Sequence, residues 1–304
     1  KFALGENVKQ SNWGDVVRVR YPQTRMGVEQ VYYDHFIRAR EYDAAWKAYN
    51  ALKNKKGVTP PRRDLELEAL AEILRSERFI TCHSYVQSEI NMLMSVGDSL
   101  GFKVNTFTHI LEGYKVADKM AQRKIHGSTF ADWWAYKMEV SQAIPYNAAL
   151  MAREGVIVSI NSDDAEMARR LNQEAAKTIT FGGMSEIEAL KMVTINPAKM
   201  LHLDNRIGSI REGKDADLVL WNNHPLSIYA RPEYTIIEGT VYFSREEDQE
   251  RQRLIASERA RLIQKSIQAK AGGASTQPAQ SRRPRMWHCE DILGEHAEHE
   301  DHSH

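Results

Sequence analysis

Apolar positions along this chain change period several times, and the changes divide it. From residue 26 to about 52 the recurring positions (Val28, Val31, Tyr32, His35, Phe36, Ala39, Tyr42) are three and four apart, the period of a helix buried on one side. A breaker, Lys53-Asn-Lys-Lys-Gly-Val-Thr-Pro-Pro61, precedes a second helix starting at Asp64. Residues 78–84, 103–109, 156–160 and, more weakly, 124–129 are short β-rich runs. Between and after them lie helical stretches at 86–100 (closing at Gly101), 114–122, 147–153, 165–180, 185–193 and 197–201. This alternation predicts parallel βαβ units. Lys1-Phe-Ala-Leu-Gly5 reads as the end of a further buried strand.

After residue 205 the texture changes. Residues 207–221 and 234–243 read as short strands with Gly turns and no helix between them, a small β unit. Residues 245–270 form a charged helix whose sparse apolar positions are Leu254, Ile255, Leu262 and Ile263. Residues 271–285 resemble a linker, and the stretch from Met286 reads as a disordered end rich in His, Glu and Asp, with loose metal binding as the alternative. The expected organisation is 1–204, 205–244, 245–270 and 271–304.

Composition narrows the function more than the fold. Lys plus Arg equals Asp plus Glu at 41 each, so no global field recruits nucleic acid or an acidic membrane. No apolar run approaches the roughly 20 residues needed to span a bilayer. Cys82 and Cys289 make no disulfide framework, and Cys82 falls in an apolar run as a buried thiol. With no initiator Met and no leader-like segment, compartment stays open between cytoplasmic and exported.

Three polar residues stand at the C-terminal ends of strand-like runs: His83 in Thr-Cys-His-Ser-Tyr, His109 in Thr-Phe-Thr-His-Ile, and Asp163 after Val-Ser-Ile-Asn-Ser. α/β barrels build their sites at that end. Neutral imidazoles bind a borderline ion such as zinc, and a nearby carboxylate serves as ligand and proton acceptor. Substrate-facing candidates are Arg25 as a carboxylate fork, with a surface salt bridge as the alternative, and Tyr85 and Tyr114, with rim packing as theirs. His126 is placed at the end of its strand, within reach of substrate. Trp133 and Trp134 read as packing residues, and His202 and His224 lie outside the pattern.

The order strand–His, strand–His, strand–Ser-Asp, then Thr194-Ile-Asn-Pro-Ala-Lys199 and Gly208-Ser-Ile-Arg-Glu-Gly-Lys-Asp-Ala-Asp-Leu-Val219, resembles the amidohydrolase superfamily. The segments Lys1–Asn7, Thr24–Gly27 and Ser128–Trp134 look like its imidazolonepropionase-like and prolidase-like branch. The resemblance implies a TIM-like (β/α)8 barrel with a small appended β-sandwich, and a zinc-like centre of one or two ions. His83 would be the fifth-strand ligand and His109 the sixth. Asp163, from the eighth, would bind metal and shuttle a proton, with Asp164 the less favoured neighbour. Lys1 matches the fourth-strand lysine that becomes a carboxylated bridge, and Glu6 is the second candidate. The first-strand His-x-His pair has no counterpart in the barrel-like region. The chain is therefore read as the C-terminal part of a hydrolase, its partners being an N-terminal barrel half carrying that pair, a small-molecule substrate and, as a homo-oligomer, further copies. The expected activity is hydrolysis of an amide-type C–N bond in a dipeptide, N-acyl amino acid or cyclic amide; the alternative is a non-catalytic scaffold.

Overall fold

The computed structural model describes residues 1–9, 20–133, 137–275 and 277. Trp134, Cys289 and the histidines of the tail lie outside the described residues. The chain forms two compact units, one of Lys1–Lys214 with Leu226–Ile228 and a second comprising Asp215–Pro225 and the described residues from Tyr229 onward.

The first unit opens with β1 (Phe2–Ala3), a single turn α1 (Glu6–Lys9) and the long α2 (Arg25–Ala51), followed by α3 (Leu65–Leu74). Then come β2 (Ile80–His83), α4 (Gln87–Leu100), β3 (Val104–Thr108), α5 (Ala117–Gln122), β4 (His126–Thr129), α6 (Asn147–Arg153) and β5 (Val158–Ile160). Four short helices close the unit: α7 (Ala165–Ala168), α8 (Leu171–Gly182), α9 (Glu186–Lys191) and α10 (Ile195–Met200). Local chemistry sets the boundaries. Thr24 and Asp64 cap α2 and α3 through their side-chain oxygens, and Gly101 ends α4 in the left-handed conformation at φ 81°. The stretch 165–180, expected as one helix, is broken at Arg169–Arg170, because Asp164 caps α7 and Arg170 leaves helical geometry at φ −137°.

All five strands are parallel, in the order β1-β2-β3-β4-β5. Phe2, Cys82, Phe107, Gly127 and Val158 are partners across the ladder, and one residue further on Ala3, His83, Thr108, Ser128 and Ser159 form the adjacent row. Alternation sends these rows to opposite faces. Cys82, Phe107 and Val158 pack in the main core with Ile90, Leu93, Met120 and Met151 from the helices. A methyl at Gly127 would lie 3.2 Å from Met151 Sδ, so the glycine lets α6 sit tightly on the sheet. α2 covers the β1 edge: Tyr32 Oη donates to the Ala3 carbonyl at 2.8 Å, and Phe36 stacks on Phe102 with centroids 3.9 Å apart. The second row is made of small or hydrogen-bonding side chains.

The second unit holds β6 (Leu218–Trp221), β7 (Pro232–Ile237), β8 (Thr240–Ser244) and α11 (Arg245–Ala271). Its described strands form one antiparallel sheet, β6-β7-β8, where a sandwich was expected. Residues 207–217 are turns instead of strand. Lys214 Nζ explains part of this, donating to the Ile207 carbonyl at 3.2 Å and to Ser209 Oγ at 2.7 Å. Among the described residues, no helix is long and apolar enough to cross a membrane.

The ladder makes Phe107, fully buried in the centre of the sheet, a sensitive probe of the first unit. Phe107→Ala lowers unfolding free energy by about 3–5 kcal/mol, read from the urea midpoint at constant m-value.

Candidate active site

The site is built where β2, β3 and β5 end. His83 is the last residue of β2 and points from the polar row; it is only 2% exposed. His109 follows β3 directly at φ +58°, a left-handed conformation that a non-glycine residue adopts at a cost. This turn leaves its ring 5.1 Å from that of His83, centroid to centroid. Asp163, three residues beyond β5, brings Oδ2 to 3.4 Å from His109 Nε2. Its neighbour Asp164 is committed elsewhere, accepting from the amides of Glu166 and Met167 as the cap of α7.

Burial favours the neutral form of both imidazoles. It pushes His83 down to about 3, and the neighbouring His109, Lys137 and Lys1 act in the same direction. Burial likewise lowers His109 to about 4, against the opposing pull of Asp163. Among the described residues neither His83 nitrogen has a hydrogen-bond partner, although both are buried. His109 Nδ1 is 2.9 Å from Asn161 Nδ2, and Asn161 Oδ1 accepts from Ser128 Oγ at 2.8 Å. Tyr85 meets His83 edge-on at 4.7 Å, and Phe130 stacks on His109 at 5.0 Å. Lys137 Nζ lies 4.3 Å from the Tyr85 ring centre.

The other expected residues are placed as follows. Lys1 is exposed, one residue before β1, and near enough for its charge to depress both histidines. Glu6 pairs with Lys9 at 2.7 Å, and its amide donates to Glu139 Oε1 at 2.8 Å. Arg25 is ion-paired to the buried Glu89 at 2.7 Å, the salt-bridge alternative. Tyr114 sits on the 3-10 turn after His109, and its hydroxyl donates to the Gln142 carbonyl at 3.1 Å. Trp133 packs on Phe130 at 4.6 Å. His126 corrects the sequence reading: it opens β4 instead of ending it. It pairs with Thr106, and its charged surroundings are Lys103, His202 and Lys199, away from the strand ends that carry His83 and His109.

Sequence reasoning passed over Asn161, Phe130 and Lys137. Asn161 had a usable signal, a polar side chain directly after a buried strand and two residues before Asp163.

The profile of the amidohydrolase family matches residues 84–244, more than half of the chain. The chain belongs to the amidohydrolase family. This amidohydrolase chain is 29% identical over 252 residues to amidohydrolase tasK of Hapsidospora irregularis, covering 80% of the chain and 25% of that relative. It is 30% identical over 135 residues to an imidazolonepropionase of Thermoplasma volcanium, covering 44% of the chain and 33% of the relative. A crystal structure of an amidohydrolase from Thermotoga maritima MSB8 superposes with a TM-score of 0.71 at 30% identity. That match covers 80% of this chain and 62% of the Thermotoga chain. The five-stranded parallel sheet with its helices is consistent with a partial TIM-like barrel. The chain spans between 25% and 62% of the length of these proteins.

Between pH 6.5 and about 3 the unfolded chain protonates His83 while the folded one does not, so stability falls as pH falls. For the metal-free protein the expected loss from this residue is about 2 kcal/mol on going from pH 7 to pH 5. Urea titrations at both pH values measure it, and His83→Gln flattens the slope by that amount.

Proposed function

We propose that this chain carries part of the active site of a hydrolase that cleaves an amide-type C–N bond in a small molecule, using a divalent ion such as zinc held by His83, His109 and Asp163. The observation that carries this reading is His83, whose two ring nitrogens are buried without partners beside a second neutral imidazole. Leaving such groups unpaired is costly, and a cation would supply the missing partner. Two imidazoles and a carboxylate suit a borderline ion of the zinc type. Among the described residues, no three His, Cys, Asp or Glu side chains group closely enough to hold a metal ion. The remaining donors are expected from an N-terminal His-x-His segment, with Lys1 as a bridge once carboxylated. Glu6 is the weaker bridge, because Lys9 already neutralises it.

When bound, the ion polarises the scissile carbonyl and brings the pKa of a coordinated water toward neutrality. The protein's own groups then divide the remaining work. Asp163, 30% exposed and 3.4 Å from His109, takes the proton of the attacking water and passes it to the leaving nitrogen. Tyr85 and Phe130 wall the imidazoles and keep them neutral by excluding water. Dipeptides, N-acyl amino acids and cyclic amides are the substrate classes to screen.

Elemental analysis of the full-length protein, with the tail from Met286 deleted, tests this. The expected content is about one or two zinc-like ions per chain. His83→Ala or Asp163→Asn lowers metal content severalfold and turnover by at least roughly 100-fold. Unchanged metal in both variants, or none in the parent after zinc resupply, overturns the assignment.

A further inference from the structure

The His109–Asn161–Ser128 chain has a chemical consequence for ligation. Nε2 of His109 is the nitrogen turned toward Asp163, at 3.4 Å, and Nδ1 is the one turned toward Asn161, at 2.9 Å. A neutral imidazole has one N–H and one lone pair, so the hydrogen bond at one nitrogen fixes the role of the other. With Asn161 Nδ2 donating to Nδ1, the ring proton sits on Nε2 and is directed at Asp163. A cation at Nε2 needs the opposite tautomer, with the proton on Nδ1 and an acceptor facing it.

Asn161 can provide that acceptor by turning its amide over, since Oδ1 and Nδ2 exchange places without moving any other heavy atom. In the turned orientation Oδ1 accepts from His109 Nδ1–H and Nδ2 donates to Ser128 Oγ. The freed hydroxyl proton of Ser128 has a neighbour to receive it. Thr108 is its partner across the β3–β4 ladder on the same face, and Thr108 Oγ1 is buried without a hydrogen-bond partner among the described residues. The turned arrangement thus offers the Thr108 hydroxyl a donor that the first arrangement withholds.

We propose that Asn161 is a positioning residue that sets the tautomer of His109, donating to Nδ1 in the metal-free protein and accepting from it when Nε2 ligates a cation, with Ser128 and Thr108 taking up the proton change. The inference rests on the metal-site reading above. Its tautomer arm is independent of that reading, because it is measured without metal.

Histidine-selective long-range 1H–15N correlation NMR on the full-length protein separates the two tautomers. His109 is assigned by its loss in His109→Gln. The metal-free protein is expected to show His109 protonated on Nε2. Asn161→Leu, which removes both donor and acceptor, gives a mixture of tautomers. Asn161→Asp, which only accepts, shifts the proton to Nδ1. In zinc titrations Asn161→Leu weakens affinity by roughly 10- to 100-fold, whereas Asn161→Asp restores most of it. If His109 keeps the same tautomer in both variants, the inference is overturned whatever the metal does. If the tautomers shift as stated but the parent protein binds no zinc, the metal reading fails and the role of Asn161 toward His109 stands.

Discussion

Everything in the first unit depends on the parallel register of its five strands. Parallel strands are joined by crossovers, so all their C-terminal ends fall on one edge, and helices cover the opposite face of the ladder. The Phe2–Cys82–Phe107–Gly127–Val158 row meets that cover and supplies the apolar area of the core. The neighbouring row, Ala3–His83–Thr108–Ser128–Ser159, faces the other way and is made of small or hydrogen-bonding side chains. A one-residue slip of any strand would exchange the rows, placing His83 in the core and Cys82 in the site. The register is therefore what makes a polar site affordable inside a hydrophobic framework.

Within that frame the two imidazoles are held by competing effects. Burial favours the neutral ring for both, while the Asp163 carboxylate alone would favour the charged form of His109. Burial wins, because the carboxylate is 30% exposed and 3.4 Å away, and its field is shared with solvent. Neutral rings with lone pairs are what a cation requires. The left-handed turn at His109 belongs to the same design: it costs backbone strain, yet it turns the ring out of line with the strand and beside His83.

The rim next to β1 follows a different logic. Three carboxylates, Glu6, Glu89 and Glu139, are matched there by Lys9, Arg25 and Lys137. A side chain at Gly5 would collide with Glu139, and Gly5 also has φ +70°, so the chain turns there at no steric cost. Of these pairs Arg25–Glu89 ties α2 to α4, while Lys9–Glu6 lies within α1. They explain why Arg25 and Glu6, residues of the right type for a site, are engaged in holding the rim.

The sequence alone determined the alternation of strands and helices, most element boundaries, the family resemblance and the strand-end placement of His83 and His109, because hydrophobic period and helix caps are local signals. The resemblance favoured Asp163 over Asp164, and in the structure Asp164 caps α7 while Asp163 lies 3.4 Å from His109. Tertiary structure decided the rest. Whether His126 opens or ends its strand depends on pairing with Thr106, and a weakly apolar run of six residues does not encode its own register. The engagement of Arg25 with Glu89 depends on a partner outside the local window. Asn161 is the sharpest case. Its role exists only because β3, β4 and β5 bring residues 109, 128 and 161 within hydrogen-bond distance, a contact across 52 positions that no local pattern can announce.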